Sequence, residues 1–371
     1  MTGGGTGGHF YPIIAVGKEI QKVAKEEHAL APKLYFMAPN SYDRQLLFNN
    51  NIEFLQAPAG KLRRYFSIAN FFDLFKTLAG IIRAIFSVFV IYPDVIFSKG
   101  GYGSFPALVA GRLFRIPVVM HESDTRPGRV SAWSAKFAKK IAVSYPETAK
   151  LFPESKTAWT GQPIREEIGM PIKTGAAEFL KLEKEVPTIL ILGGSLGAEK
   201  LNDAVLDLLP KLLNKYQVIH QTGPEKYKDV ISAATTILEN HQYPNRYRPF
   251  NYLNELALRM SAGIASLVVT RAGSTLFEIA AWGKPAIVIP IPEDISHDQT
   301  GNAFAYARSG AGVVIEEKNL TPSILEYEIE RILNDSNLQK NFSEGALKFW
   351  KPDAAQKIAK VIVDIALSHE S

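Results

Sequence analysis

Two glycine-rich segments carry the residues that are most suited to chemistry. Gly3-Gly4-Gly5-Thr6-Gly7-Gly8-His9 stands near the start, and Gly193-Gly194-Ser195-Leu196-Gly197 follows the apolar run 187–192. Glycine loops after parallel strands let main-chain N–H groups approach a phosphate, and the next helix adds the positive end of its dipole. Neither loop has the P-loop lysine or the dinucleotide fingerprint with its acidic partner. The pair therefore indicates one phosphate-bearing ligand shared by two domains and disfavours an oxidoreductase.

The elements that must position these loops are short buried strands that alternate with helices. Apolar runs bounded by glycine and proline recur, as at 94–98 and 116–120, and the same pattern restarts near Val186. This alternation is typical of parallel sheets covered on both faces. We therefore predict an α/β protein with two doubly wound, Rossmann-like domains that face a cleft.

The domain limits follow from the same pattern. We expect a first domain at 1–165, a charged linker at 166–186 and a second domain at 187–351. The segment 352–371 has the apolar spacing of an amphipathic helix and is expected to pack back on the first domain.

Composition restricts the classes of function. The 371 residues are 46% hydrophobic and 21% charged, as in soluble globular proteins. The absence of cysteine excludes disulfides, thiolate nucleophiles and cysteine zinc sites. We see no His and carboxylate cluster with metal-ligand spacing, so we expect no metal and no cofactor.

Lys and Arg outnumber Asp and Glu by 42 to 37, which suits phosphates or acidic lipid headgroups, although solubility alone explains so small an excess. We expect no nucleic-acid partner and no signal peptide.

The segment from Lys61 to Val90 departs from the soluble pattern because it combines basic residues with many aromatic and aliphatic ones. Asp73, Lys76 and Arg83 interrupt it, and we expect them to exclude a spanning helix, which needs about 20 apolar residues. Buried helices and an amphipathic surface on an anionic membrane both remain open. We expect core packing toward Val90 and membrane contact between Lys61 and Arg83.

Six motifs give the chain a specific family resemblance. They occur in the family's order from Gly4 to Gly273, and the resemblance continues to Asn302. The motifs are Gly4-Gly5-Thr6-Gly7-Gly8-His9, Gly100-Gly101-Tyr102, His121-Glu122-Ser123-Asp124, Gly161-Gln162-Pro163-Ile164-Arg165, Gly193-Gly194-Ser195-Leu196-Gly197-Ala198 and Arg271-Ala272-Gly273. With these motifs the sequence resembles the MurG family of N-acetylglucosaminyltransferases.

The resemblance implies a metal-independent fold of the glycosyltransferase B type. It implies UDP-GlcNAc as donor, held mainly by the second domain, and lipid I (undecaprenyl-diphosphate-MurNAc-pentapeptide) as acceptor, which enters through the first. The implied product is lipid II, formed with inversion to a β(1→4) bond in peptidoglycan synthesis at the cytoplasmic face of the membrane.

The resemblance also assigns donor contacts. Thr6, Gly7, Gly8 and Asp124 would contact the donor, while Arg165 and Ser195 would lie against its diphosphate or nucleotide. A guanidinium and a loop of N–H donors suit the charge that develops as UDP leaves. Arg165 as a surface residue of the linker is the alternative.

Further donor contacts fall in the second half of the chain. Glu278 resembles the glutamate that accepts both ribose hydroxyls, although an acid in the first turn of a helix is also favoured by the dipole alone. Gln299 and Asn302 resemble the sugar-recognition segment, and Asn251 takes the place near the uracil, where main-chain atoms would matter more than the side chain.

Three residues are candidates for the general base, which must take the proton of the acceptor's C4 hydroxyl. His9 is the first choice because its ordinary pKa near 6.5 lets it act at neutral pH. It could instead orient the loop or bind the lipid diphosphate as a cation. Glu122 and Asp124 compete because they end a strand at the edge where α/β proteins bind ligands. Tyr102 would shape the acceptor site or simply pack as an aromatic.

The start of the chain departs from the family pattern. The family has an apolar strand before the first glycine loop, and here only Met1 and Thr2 precede Gly3. We therefore expect the first strand to be missing and the neighbouring ladders to be unpaired. A start codon assigned too far downstream would explain the difference.

Two other functions remain open from the sequence. One is a different UDP-sugar transferase acting on a lipid or small acceptor. The other is a non-catalytic, sugar-nucleotide-binding scaffold.

Overall fold

The computed structural model describes residues 1–4, 7–61, 69–194, 198–292 and 299–368. The chain divides into two compact units, which we call unit 1 and unit 2. Unit 1 is Met1–Arg165 together with Lys351–Ser371, and unit 2 is Glu166–Trp350.

Unit 1 is built from parallel strands with helices on both faces. Its strands are β1 (Leu34–Ala38), β2 (Ile52–Gln56), β3 (Ile96–Ser98), β4 (Val118–Glu122), β5 (Lys140–Val143) and β6 (Thr157–Trp159). Its helices are α1 (Gly7–Glu26), α2 (Arg44–Asn49), α3 (Ala69–Ile91), α4 (Phe105–Leu113), α5 (Arg129–Ser134), α6 (Pro146–Ala149) and, late in the chain, α15 (Ala354–Leu367). β1 pairs with β2, and β3 to β6 form a four-stranded sheet in chain order.

Met1 and Thr2 connect these two groups of strands. Thr2 N donates to Phe97 O (2.8 Å), Lys99 N donates to Thr2 O (2.9 Å), and Met37 N donates to Met1 O (2.9 Å). Thr2 thereby forms isolated parallel bridges to Met37 and Ser98. The expectation of unpaired neighbouring ladders is therefore wrong at this position, because two residues suffice to bond the ends of β1 and β3.

The two faces of unit 1 have separate apolar cores. On one face α15 packs on α1, where Ile358 and Ile362 share a core with Ile13 and Ile14. On the other face α3 packs on α4 through small and branched residues such as Ala84. A fully buried isoleucine or valine side chain in these cores contributes about 1.5–3 kcal/mol to the free energy of unfolding.

Helix α3 is the one described helix that is long and apolar enough, by length and composition, to cross a membrane. The stretch Phe71–Ile91 has a mean hydropathy of 2.0, and only 17% of its most apolar window is buried. We expected Asp73, Lys76 and Arg83 to exclude a membrane-spanning helix. By length and hydropathy they do not exclude one.

The exposed side of α3 also extends further than expected. Gly80, Ala84 and Val88 face the protein, and a Cβ on Gly80 would lie only 1.6 Å from Pro58 O. Phe86 and Phe89 remain about two-thirds exposed, at 68% and 65%. Core packing therefore does not prevail toward Val90, because only a narrow side of the helix faces inward.

Unit 2 contains one six-stranded, fully parallel sheet. Its strands are β7 (Thr188–Leu192), β8 (Gln217–Gln221), β9 (Tyr247–Phe250), β10 (Ala265–Thr270), β11 (Ala286–Val288) and β12 (Gly312–Val314), in the order β12-β11-β10-β7-β8-β9. Its helices are α7 (Ala176–Leu180), α8 (Glu199–Lys215), α9 (Tyr227–Ile237), α10 (Glu255–Ile264), α11 (Thr275–Trp282), α12 (Gln299–Arg308), α13 (Pro322–Leu333) and α14 (Ser336–Phe349). β7 is buried throughout because helices cover both faces. The predicted α/β class with parallel sheets is confirmed in both units.

The segment 166–186, which we expected to be a linker, lies within unit 2. It contains α7, which packs on α10, and its Ile168 O accepts a bond from Trp282 Nε1 (2.6 Å). The high charge of this stretch reflects its exposed positions, among them Lys181 and Lys184.

Candidate functional site

In unit 1 the candidate site lies at the carboxyl ends of the parallel strands. Gly100 and Gly101 follow β3 with φ of 73° and 77°, in the left-handed region that favours glycine. A Cβ on Gly101 would lie 2.6 Å from Gly4 O and 3.5 Å from His9 Nε2. The two glycines therefore bring the chain after β3 directly against the first glycine loop and His9.

His9 lies near the start of α1 and is half-buried. Burial and, to a smaller extent, the charge of Lys99 lower the pKa of His9 to about 4. The imidazole is therefore neutral at physiological pH, which is the form that accepts a proton.

Glu122, the last residue of β4, organises the turn that follows. Its Oε1 accepts N–H bonds from Ser123 (2.8 Å) and Asp124 (3.1 Å), and its Oε2 accepts one from Gly128 (3.2 Å). The residue is only 5% exposed. Both carboxylate oxygens thus hold the main chain of the turn 123–128.

The other acceptor-side candidates lie on adjoining loops. Asp124 is half-buried in the turn, and its main-chain O accepts a bond from Thr148 Oγ1 (2.9 Å). Tyr102 is half-buried at the start of the short 3-10 helix Tyr102–Ser104.

Arg165 is packed against α1. Its guanidinium carbon lies 4.3 Å from the ring centroid of Tyr11, and the residue is 9% exposed. The alternative of a surface arginine in a linker is therefore wrong. Gly7 lies beside the same ring, since a Cβ there would come within 3.1 Å of Tyr11 Cε2. Gly8 follows in α1, and Thr6 lies outside the described residues.

Lys99 is a polar residue of this edge that the sequence analysis missed. It follows β3 and is buried, and its Nζ contacts His121 Nδ1 (2.6 Å), Ser123 Oγ and Gln162 Oε1 (3.3 Å). Burial lowers the pKa of Lys99 to about 7, against the raising effect of Glu122 and Asp124. A lysine directly after a buried strand and before Gly-Gly is the signal that could have identified it.

In unit 2 the second glycine loop follows β7. Gly193 N donates to Gln221 O (3.2 Å), and Gly194 has φ of 82°. Ser195 lies outside the described residues, and α8 begins at Glu199. A glycine pair thus links the carboxyl end of β7 to the segment that leads into α8.

The remaining donor-side candidates lie near the starts of two helices and in one loop of unit 2. Glu278 lies half-buried in the first turn of α11. Gln299 begins α12, and its Oε1 accepts a bond from Ile291 N (3.1 Å). The Asn302 side chain is buried and donates to Ala272 O (3.3 Å), which links α12 to the Arg271-Ala272-Gly273 motif. Asn251 is exposed, and its Oδ1 accepts a bond from Tyr252 N (2.6 Å).

A buried ion pair supports this motif. Arg271 Nη2 lies 2.5 Å from Glu317 Oε2, and both side chains are 8% exposed. Arg271 Nη1 also donates to Ile289 O (3.3 Å). Arg271 thus anchors the segment that precedes α11 and Glu278.

In the described part of the chain, no group of three or more His, Asp or Glu side chains could hold a metal ion. The polar groups gathered at the two sheet edges are instead suited to bind anions and to accept a proton.

Two family models match the chain. The glycosyltransferase family 28 N-terminal domain matches residues 1–143, and the C-terminal domain of the same family matches residues 188–358. A relative from Treponema denticola, a UDP-N-acetylglucosamine–N-acetylmuramyl-(pentapeptide) pyrophosphoryl-undecaprenol N-acetylglucosamine transferase, is 35% identical over 99% of this chain and 96% of its own length. The chain belongs to this N-acetylglucosamine transferase family.

Another relative and two solved structures are also similar to this chain. A relative of the same name from Clostridium novyi is 35% identical over 90% of each chain. The crystal structure of MurG from Acinetobacter baumannii aligns with a TM-score of 0.71 and 25% identity over 98% of each chain. A UDP-GlcNAc 2-epimerase from Neisseria meningitidis aligns with a TM-score of 0.67 but 16% identity over 99% of each chain, which shows the fold alone.

Proposed function

We propose that this chain transfers GlcNAc from UDP-GlcNAc to the C4 hydroxyl of MurNAc in lipid I, with inversion, to give lipid II. The observation that carries the proposal is 35% identity to a transferase of that name over 99% of this chain. The acceptor named for the relative is a pyrophosphoryl-undecaprenol.

For the donor, we propose that Glu278 accepts the two ribose hydroxyls and that Gln299 contacts the sugar. The main chain at Asn251 would lie near the uracil. Ser195, Arg165 and the loop Thr6-Gly7-Gly8 would receive the diphosphate. The support is the family motif together with the half-buried, first-turn position of Glu278. Asn302 is better suited to hold the Arg271 motif, because its amide already donates to Ala272 O.

For the reaction, we propose that His9 takes the proton of the acceptor's C4 hydroxyl. The C4 oxygen bonds to the anomeric carbon as the bond from that carbon to the phosphate oxygen breaks, and UDP leaves with the electron pair. Arg165 and main-chain N–H groups stabilise the diphosphate. The neutral state of His9 supports its role.

Glu122 is better suited to hold the turn that carries Asp124, because its oxygens bond the main chain. Tyr102 would border the acceptor.

The transfer assay tests this function directly. We expect that purified protein with radiolabelled UDP-GlcNAc and a lipid I analogue gives labelled lipid II. Hydrolysis of the donor or labelling of another acceptor would instead indicate a different sugar transferase. Donor binding without turnover would indicate a scaffold, and either result would contradict the proposal.

We also propose that α3 binds the anionic cytoplasmic face of the cell membrane. Six of its exposed apolar residues recur every three or four positions, so they form a stripe along the helix. The stripe consists of Phe71, Phe75, Leu78, Ile82, Phe86 and Phe89, each more than half exposed. Lys76 and Arg83 lie beside it in the helical projection, where they suit acidic headgroups.

Vesicle flotation tests the membrane proposal. We expect the Phe75→Ser, Phe86→Ser double variant to lose binding to vesicles with anionic lipid, while Tyr327→Ser, Leu347→Ser, at exposed positions in unit 2, keeps it. Equal binding by the two double variants would contradict a role for α3.

A further inference from the structure

Lys99 is a buried cation at the acceptor-side edge for which the reaction described above has no role. The residue is 2% exposed and follows β3. In the described part of the chain no carboxylate lies within ion-pair distance of its Nζ. A buried ammonium group without a carboxylate partner is strongly unfavourable unless hydrogen-bond acceptors surround it. An apolar side chain would fill the same space without this cost.

The acceptors around Lys99 come from three different segments. Nζ donates to His121 Nδ1 in β4 (2.6 Å), to Ser123 Oγ in the turn after β4, and to Gln162 Oε1 beyond β6 (3.3 Å). Gln162 Oε1 also accepts a bond from Ser144 Oγ after β5 (2.9 Å). The lysine therefore ties the ends of β3 and β4 to the segments that follow β5 and β6.

This geometry suits the ammonium form of Lys99 and one tautomer of His121. Three acceptors match the three N–H groups of an ammonium ion. His121 Nδ1 must then be unprotonated, and its proton lies on Nε2, which donates to Gly161 O (2.9 Å). Burial and the charge of Lys99 both lower the pKa of His121, so the ring stays neutral.

The start of the Lys99 side chain also lies close to Gly3 and to the main chain of His9 at the start of α1. A Cβ on Gly3 would lie 3.2 Å from Lys99 Cβ and 3.6 Å from His9 O. The titratable groups that face Lys99 are His9 of α1, His121 and Glu122 of β4, and Asp124 of the turn. One positive charge thus acts on the base candidate and on both carboxylates.

We propose that Lys99 is a positioning residue for the transfer reaction, whose buried ammonium group holds the turn 123–128 from beneath and presents a positive charge to His9. The inference rests on the proposed function, because it takes His9 as the acceptor-side base. The charge adds to burial in keeping His9 unprotonated, and the hydrogen bond to Ser123 Oγ fixes the residue that follows β4.

Kinetics of Lys99→Met give the first test. We expect kcat to fall on the order of a hundredfold through misplaced groups, with donor KM changed by less than about twofold. We also expect the acid limb of the kcat profile to move to higher pH, since His9 loses a neighbouring positive charge. Lys139→Met, at an exposed position of unit 1, is the matched control and should match the wild type.

Ser123→Ala separates the effect of the hydrogen bond from the effect of the charge. It also tests the proposal if Lys99→Met does not fold. It removes one acceptor and leaves the charge, so kcat should fall while the acid limb stays in place. A Lys99→Met enzyme with wild-type kcat and pH profile, or a Ser123→Ala enzyme with a shifted limb, would overturn the proposal.

Imidazole nitrogen NMR on the full chain gives a readout that does not depend on transfer. Of the seven histidines, His121 should be the neutral Nε2–H tautomer from pH 5 to 8. In Lys99→Met we expect a mixture of His121 tautomers and a higher titration midpoint for His9. Failure of wild-type transfer would count against the proposed function alone, whereas unchanged His9 and His121 signals in Lys99→Met would overturn the role of Lys99.

Discussion

The two units carry parallel sheets of the same kind, yet the carboxyl edges of these sheets are chemically different. In unit 1 the residues that follow the strands form a buried polar cluster around Lys99 and His121. In unit 2 the corresponding edge carries Gly193, whose N–H is bonded to Gln221 O, and Gly194 with a positive φ. One architecture thus supports two kinds of chemistry, because the first residues after each strand determine what the edge offers to a ligand.

This difference predicts a division of function between the units, with proton transfer in one and donor binding in the other. The base candidate His9 and the buried Lys99 beside the first glycine loop belong to unit 1, which suits proton transfer. Main-chain donors and a half-buried first-turn acid belong to unit 2, which suits binding of a nucleotide sugar. The following predictions test this division, beginning with the largest expected effect.

Replacing His9 with alanine should remove the chemistry of unit 1. We expect kcat to fall about 10²–10⁴-fold, the range for loss of a general base, with little change in donor KM. Steady-state kinetics with the donor varied at saturating acceptor measures both. His28→Asn is the control, because His28 is exposed and has a positive φ that asparagine tolerates. Equal losses in turnover and donor affinity would contradict the role of His9.

Breaking the Arg271–Glu317 ion pair should weaken unit 2. In Glu317→Gln the buried guanidinium loses its carboxylate, and we expect unit 2 to lose about 3–5 kcal/mol of its free energy of unfolding. Hydrogen exchange measured by mass spectrometry can locate the change, which should appear in unit 2. Glu330→Gln at the exposed Lys215–Glu330 pair should cost about 1 kcal/mol or less. Equal effects of the two changes would show that burial of the pair has no energetic consequence.

Replacing Glu278 with alanine should affect donor binding alone. We expect donor KM to rise about tenfold, equivalent to about 1.4 kcal/mol, with a modest change in kcat. Asp229→Ala is the matched control, because Asp229 is an exposed acid in the first turn of α9. The same rise in both variants would mean that Glu278 acts only through the helix dipole.

The pH dependence of the free enzyme should show the lowered pKa of His9. Because burial and Lys99 hold this pKa at about 4, His9 stays neutral well below its ordinary range. We therefore expect kcat/KM to show no acid limb near 6.5, and the His9 limb to appear close to pH 4 in a profile measured as far down as the enzyme stays folded. An acid limb near 6.5 that disappears in His9→Ala would contradict the desolvated environment of His9.

The scaffold could be predicted from the sequence, because local patterns determine it. The apolar run 188–192 reads as a buried strand and forms β7, and the spacing of Ile358, Ile362 and Ile365 reads as a helix and forms α15. The positive φ of Gly100 and Gly101 is likewise consistent with a glycine pair after a strand.

Other features could not be predicted, because they depend on contacts between distant parts of the chain. Lys99 and Gln162 are 63 residues apart in sequence, and no local pattern indicates that they meet. The bonds of Thr2 to both β1 and β3 depend on the sheet order. Hydropathy also could not determine which side of α3 faces solvent, since buried and exposed apolar residues alternate there.

Single-turnover rapid quench with a lipid I analogue tests the division between the units most directly. With enzyme in excess and both substrates saturating, we predict that Glu278→Ala recovers nearly the wild-type rate of transfer, because saturation compensates for weaker donor binding. We predict that His9→Ala remains slower by about 10² or more under the same conditions, because the proton is still not removed. Recovery of His9→Ala at saturation, or a persistent defect in Glu278→Ala, would contradict the account.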